Sequence, residues 1–404
     1  MKETIVILCK EMNMGGTETL IMRLLKWYKN NGFRTIILTL EEIISESILE
    51  DLNEVKLECY VLNSTNKEFE SFEFGKLQFQ STENPLLLTF FLPEFFKCFE
   101  LLTKSKYKCN FRFTIYIVHP YSTFISNSIR FLGKTLMHIF LTKNMLVFMD
   151  EICLEATVDF YKLYKSKYNF YIYRLPIFIK GSDLKCKMLK NEMFNILSIS
   201  RFEFPFKGYV IGLINTFVEL FKTNNNLSLT IIGYGIGKIE VDKALHEIPL
   251  DIRSNIFILD QVPYSLIDNY IEKCDIYVGM GTTLLDAANH NKIGIIAVSY
   301  QMDANSNGFF HNNFSVLGDL FDDTIIYPHF KEMISDIVNL NNEEFSKLSL
   351  ESKKTLVDNY NIDLIAPKLF EHTKSNFNKF ESSILKLTIN INKSLVFMYN
   401  LLHK

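Results

Sequence analysis

Arg201 and Lys207 stand in the stretch SISRFEFPFKGY, directly after the apolar run Phe194 to Ser200. Beyond them Val210, Leu213, Ile214, Phe217 and Leu220 recur at helical spacing. A guanidinium grips phosphate oxygens as a fork, and an ammonium adds a mobile point charge, so the pair suits a diphosphate. Glu203 lies between them, and a solvated charge pair is the plain alternative. Further on, Gly279-Met280-Gly281-Thr282-Thr283 follows the run Asp275 to Val278 and opens a helix that bears Asp286. Gly281 permits close approach to the main chain, Thr282 and Thr283 offer hydroxyl and N–H donors, and Asp286 could accept ribose hydroxyls. An ordinary N-cap with a first-turn acid reads equally well, and both readings can hold at once.

Three other places carry candidate chemistry. Met14-Gly15-Gly16-Thr17-Glu18 joins the first strand to the first helix, where Gly15 and Gly16 leave room for a phosphate or sugar; a tight turn capped by Thr17 is the alternative. Gly233-Tyr234-Gly235-Ile236-Gly237-Lys238 fits neither the dinucleotide fingerprint, its third glycine being one place early, nor a phosphate loop of the Walker kind, and reads as a flexible turn. His119 closes the strand Phe113 to Val118, placing an imidazole where it bonds a substrate hydroxyl or serves the structure alone. Asp150 and Glu151 occupy a similar strand end, as a base, an acceptor ligand or helix-start acids.

The elements that position these residues alternate. Thr4 to Cys9, a helix from about Thr17, and Phe33 to Leu40 make a βαβ unit, with further strands at Leu57 to Leu62, Phe113 to Val118 and Leu146 to Met149. From Phe194 to Val298 the order strand, basic turn, helix, strand, glycine turn, helix, strand, helix, strand, helix, strand predicts a parallel sheet covered on both faces. The expected division is residues 1–178, a linker at 179–192, 193–360, and a helical tail at 361–404. Pro85 to Leu102, the most apolar window, is broken by Pro93, Glu94, Lys97 and Glu100, so it reads as a buried helical segment or a patch lying on a membrane and fails as a spanning helix. SYQMDANSNGFFHNNF, after Val298, reads as loop.

Composition narrows the class. A chain of 404 residues exceeds what one core usually organises, and 48% hydrophobic with 22% charged residues is globular. A net charge of −3 gives no nucleic-acid footprint. Seven scattered cysteines without close pairs suggest neither a disulfide framework nor a zinc site, and a reducing cytoplasm fits. The short first strand lacks the flanks of a signal peptide. Many Lys, Asn, Ile and Phe residues suit an AT-rich bacterial gene.

The order of these motifs resembles that of the retaining, nucleotide-sugar-dependent glycosyltransferases of GT-B fold, the group 1 or family 4-like enzymes. The similarity covers the Gly15-Gly16 loop and most of Phe194 to Val298. It implies an α/β fold of two Rossmann-like, doubly wound parallel-sheet domains facing a cleft, with C-terminal helices. It also implies that Arg201 and Lys207 bind the donor diphosphate, that the main chain at Val262 meets the base, and that Asp286 in Leu284-Leu285-Asp286-Ala287 stands where the family has its ribose-binding Glu. The family pairs that Glu with an earlier one, whose place here is Val278; a divergent branch would lean on Gly281, Thr282 and Thr283. His119 is the implied sugar or acceptor contact.

The expected function is transfer of a sugar, hexosyl in type, from a nucleoside diphosphate sugar to a glycan or lipid-linked acceptor. Retention is implied by the resemblance, and neither cofactor nor metal is expected. Capsule, O-antigen or related envelope glycan synthesis in the bacterial cytoplasm is the expected setting, with peripheral contact at the inner membrane left open and no nucleic acid as partner. A catalytically silent sugar-nucleotide or glycan-binding protein is the first alternative, suggested by Val278. A nicotinamide-dependent oxidoreductase is the second, and the misplaced glycine argues against it.

Overall fold

The computed structural model describes all residues except 1–2, 11, 13–15, 41–56, 63–76, 78, 80–83, 105–109, 126–129, 182–188, 263, 319–320, 374–376, 378 and 403–404. Gly15, most of Asn63 to Asn84 and the middle of the expected linker therefore lie outside the described residues. The chain divides into two compact units, Met1–Phe178 with Ile362–Lys404, and Ile179–Asn361.

The first unit runs β1 (Thr4–Cys9), α1 (Gly16–Asn30), β2 (Arg34–Thr39), β3 (Glu58–Val61), β4 (Leu86–Thr89), α2 (Leu92–Lys104), β5 (Arg112–Ile117), α3 (Arg130–Thr142), β6 (Leu146–Phe148) and α4 (Glu151–Tyr161). Its sheet is parallel throughout, in the order β3-β2-β1-β4-β5-β6. Every residue of β1 and β4 is buried, as strands covered on both faces require. Pro85 to Leu102 is thus not one helical segment: its first half is a central strand and only its second half is α2. A run such as PLLLT has no period to separate strand from helix, and Pro93 marks the helix start, where its missing N–H loses no bond.

The second unit runs β7 (Phe194–Arg201), α5 (Tyr209–Phe221), β8 (Leu227–Tyr234), α6 (Lys238–His246), α7 (Leu250–Arg253), β9 (Ile256–Leu259), α8 (Tyr264–Lys273), β10 (Ile276–Gly279), α9 (Thr282–Asn289), β11 (Ile293–Ala297), β12 (Ser306–Phe309), α10 (Phe330–Asn339) and α11 (Asn342–Tyr360). Its order, β12-β11-β10-β7-β8-β9, has the same winding. Only β12 is antiparallel; it is an edge strand inside the stretch expected to be loop. Ser and Asn with one glycine carry little strand propensity, and pairing with β11 supplies what the local sequence does not.

Residues after 361 return to the first unit. Trp27 Nε1 donates to Asp363 Oδ1 at 2.7 Å and the Tyr28 hydroxyl donates to the Ala366 carbonyl at 2.7 Å, fastening α12 (Ile362–Glu371) to α1. Phe33 and Phe370 meet edge to face at 4.8 Å. In α13 (Lys379–Leu402), Leu385 and Ile389 enter the same core as Leu136 and Phe140 of α3. The described residues after 361 are therefore part of the first unit rather than a separate tail. No helix among the described residues is long and apolar enough to cross a membrane.

Candidate functional site

In a doubly wound sheet, ligands gather at the carboxyl ends of the strands where the order turns round. In the second unit those strands are β7 and β10. Arg201 ends β7, opposite Tyr234 at the end of β8. Its guanidinium lies 3.5 Å from Glu203, an exposed pair contributing about 0–1 kcal/mol and easily exchanged for a phosphate. The Lys207 N–H donates to the Glu203 carbonyl at 2.8 Å, closing a turn that brings Lys207 to the entrance of α5. Burial lowers the Lys207 pKa to about 8, the Arg201 charge pushes the same way, and Glu203 opposes. Two cations that repel each other beside a single exposed carboxylate make a place where an anion relieves strain in the charge distribution.

This turn rests on the glycine segment that follows β8. Phe202 N–H donates to the Tyr234 carbonyl at 2.7 Å and accepts, through its own carbonyl, the Gly237 N–H at 2.9 Å. A Cβ at Gly233 would stand 2.3 Å from the Ser200 carbonyl oxygen, and one at Gly237 would stand 2.6 Å from the Phe204 ring. Gly233-Tyr234-Gly235-Ile236-Gly237 is a cradle for Phe202 and Phe204, not a free turn. The signal was in the sequence as two motifs, GYGIG and RFEF, whose complementarity of small against large only the parallel pairing of β7 and β8 reveals.

Across the turnaround, Gly281 adopts φ +71° and ψ −146°, a backbone conformation open to glycine, and its N–H donates to the Leu317 carbonyl at 2.7 Å. A Cβ there would meet nothing within 4 Å, so the space above it is open. Thr282 and Thr283 begin α9, whose N-cap glycine offers no capping side chain, leaving the first-turn N–H groups to other acceptors. The Thr283 hydroxyl, however, is turned inward: its Oγ1 lies 2.6 Å from the Tyr277 hydroxyl and 3.3 Å from the Met280 carbonyl. Asp286 lies one turn into α9, partly buried, and its charge helps to raise the Tyr277 pKa, after burial and Tyr209. Val278, where the resemblance implies a Glu in other enzymes, is fully buried within the apolar core. Val262 is partly buried in the segment after β9. The second unit thus places Arg201 and Lys207 on one side of its turnaround and Gly281, Thr282, Thr283 and Asp286 on the other.

In the first unit the turnaround strands are β1 and β4. Gly16 opens α1 with nothing within 4 Å of an added Cβ. His119 is exposed beyond β5, and its Nδ1 accepts the Tyr121 N–H at 3.3 Å. Asp150 caps α4 by accepting the Cys153 N–H at 2.7 Å, and Glu151 pairs with Arg174 at 2.7 Å, so both serve as helix-start acids. Among the described residues no cluster of three or more His, Cys, Asp or Glu side chains could hold a metal ion.

No family model matches the chain, and no curated protein sequence does. Solved structures do. A glycosyltransferase from Rickettsia africae superposes with a TM-score of 0.67 at 15% identity, over 95% of this chain and 99% of that one. The fold is GT-B. TarM of S. aureus, in complex with fondaparinux, alpha-GlcNAc-glycerol and UDP, superposes with a TM-score of 0.58 at 12% identity, over 91% and 100%. An E. coli trehalose-6-phosphate protein bound with UDP-2-fluoro glucose gives 0.58 at 11%, over 91% and 99%. At such identities the likeness is one of architecture.

Proposed function

We propose that this chain is a glycosyltransferase that moves a hexose from a nucleoside diphosphate sugar to a glycan or lipid-linked acceptor, with retention at the anomeric carbon. The observation that carries the reading is the second unit's turnaround, where Arg201 and Lys207 follow β7 and the open, glycine-built start of α9 follows the adjacent β10. Breaking the bond from the anomeric carbon to the diphosphate leaves positive charge on the sugar and negative charge on the departing oxygens. Arg201, Lys207 and the N–H groups at Thr282 and Thr283 are suited to stabilise that departing charge. We assign ribose contact to Asp286, base contact to the main chain at Val262, and phosphate contact to Gly281.

The first unit is assigned acceptor recognition, with His119 offering its Nε2 proton to a sugar hydroxyl, and the Gly15-Gly16 loop a place for sugar or phosphate. Because two fixed cations can neutralise the leaving group, the reaction is proposed to run without a divalent metal. Two of the similar structures hold UDP or a UDP-sugar analogue, which supports this class of donor. A bacterial envelope glycan is the proposed product, made in the cytoplasm with peripheral attachment at the inner membrane. The test is release of nucleoside diphosphate from a panel of nucleotide sugars, with EDTA present, in the wild type and in Arg201→Ala. Acceptor-dependent release that Arg201→Ala abolishes supports the reading.

The core position of Val278 favours a second reading, a silent sugar-nucleotide-binding protein on the same scaffold. Tight binding of a nucleotide sugar without turnover against any acceptor would establish it.

A further inference from the structure

Glu94 is the one buried carboxylate among the described residues of the first unit, 6% exposed, on the first turn of α2. An acid at a helix start is ordinarily a solvated partner of the helix dipole, and this one is not. Its Oε1 accepts the main-chain N–H of Lys10 at 2.9 Å, while Oε2 lies 3.4 Å from the N–H of Phe90. Lys10 is the first residue past β1 and Phe90 the first past β4, the two strands between which the order turns round. The same turn is hooked to the exit of β5: the Leu92 N–H donates to the Ser122 carbonyl at 3.1 Å, and the Ser122 hydroxyl donates to the His119 carbonyl at 2.5 Å.

We propose that Glu94 is a positioning residue whose side-chain carboxyl clasps the exit of β1 at Lys10 to the exit of β4 at Phe90. Only the catalytic consequence of this clasp rests on the glycosyltransferase reading. Bonds from N–H to a carboxylate are shorter and stronger than neutral ones, and a protonated carboxyl loses part of that acceptor strength. Burial raises the Glu94 pKa to about 7, while the main-chain donors of Lys10, Phe90 and Phe91, and then the Lys97 ammonium on α2, pull it down. The other titratable groups on the joined exits are the Lys10 side chain and His119. Burial outweighs these donors, so the clasped carboxyl holds its proton more tightly than an open one and the clasp weakens as the carboxyl ionises through neutral pH.

Amide hydrogen exchange of the peptide containing Lys10, corrected for the intrinsic rate, tests this in the wild type and in Glu94→Gln. Protection in the wild type should fall about tenfold from about pH 6 to about pH 8, as a raised pKa in the clasped state requires, and stay flat in the variant. Turnover of a nucleotide sugar should fall as pH rises through about 7, a step that Glu94→Gln removes. Identical protection in the two proteins across that range overturns the clasp, whether or not turnover is found. Absence of turnover with the exchange result intact overturns the functional reading and leaves the clasp standing.

Discussion

Gly279 is a glycine because the ring of Tyr277 lies where its Cβ would stand: a methyl there would fall 2.7 Å from the Tyr277 hydroxyl and 2.8 Å from Cε1. Both residues sit on the same side of β10, two places apart, so the missing side chain lets the ring lie along the strand. The hydroxyl then reaches Thr283 Oγ1 at 2.6 Å and the Ile199 carbonyl at 3.2 Å, spanning the two sides of the turnaround. Gly279→Ala forces the ring away and is expected to cost about 1–3 kcal/mol, as overpacking does. Tyr277→Phe keeps the ring and loses the hydroxyl, for about 1–2 kcal/mol. Urea unfolding measures both, and both should weaken nucleoside diphosphate binding, since each loosens the start of α9.

Lys207 gives the site a pH signature. Burial and the Arg201 charge hold its pKa at about 8, below the ordinary 10.5, so the free protein loses this cation as pH rises through that value. A bound diphosphate favours the ammonium and raises its pKa, so binding above that point takes up a proton. Affinity should be constant below about pH 7 and fall roughly tenfold for a one-unit difference between free and bound pKa as pH rises past both. Calorimetry in buffers of different ionisation enthalpy reads the proton uptake directly. Lys207→Arg, which cannot deprotonate, should flatten the profile.

Much of the second unit was legible because its strands carry different flanks: FNILSIS is followed by a basic turn, DIYV by a glycine turn, and each turn by a periodic helix. The alternation of these elements then predicts parallel strands with helices between them, and the winding sets the strands that end near Arg201 and Gly281 side by side. The middle of the first sheet was not legible. β4 is four buried residues within an apolar window, and neither periodicity nor length separates such a strand from the start of α2. Glu94 looked like an interruption of that window because its partner, Lys10, is 84 residues away in the chain and donates through its main chain, which no residue type advertises. The inward turn of the Thr283 hydroxyl was hidden in the same way, since it depends on Tyr277 lying over a glycine.

Gly281 separates conformation from packing. An added methyl meets no neighbour, yet φ +71° with ψ −146° lies in a region essentially reserved for glycine. Gly281→Ala should therefore cost roughly 1–3 kcal/mol through the backbone alone, with the strain concentrated at the entrance of α9. Thermal unfolding should show the loss. Crystals of the variant should show movement confined to residues near Gly281, with the core around Val278 unchanged.

His372 makes the first unit acid-sensitive. Burial pushes its pKa from 6.5 to about 4, with Nδ1 3.1 Å from the Tyr173 hydroxyl and the Tyr171 ring edge-on at 4.6 Å. In the unfolded chain the imidazole protonates first, so stability is full above the unfolded pKa and is lost as pH falls from 6.5 toward 4. The loss should be roughly 2 kcal/mol after allowance for solvent screening at a partly covered group. Urea unfolding across that acid range measures it, and His372→Gln should remove the slope.

The most direct test of the central claim is titration calorimetry with nucleoside diphosphates on the wild type, Arg201→Ala and Lys207→Ala. The account predicts binding by the wild type, weakened about ten- to a hundredfold by each substitution, the size of a charge-assisted phosphate contact. Equal affinity in all three proteins, or no diphosphate bound by any, would contradict it.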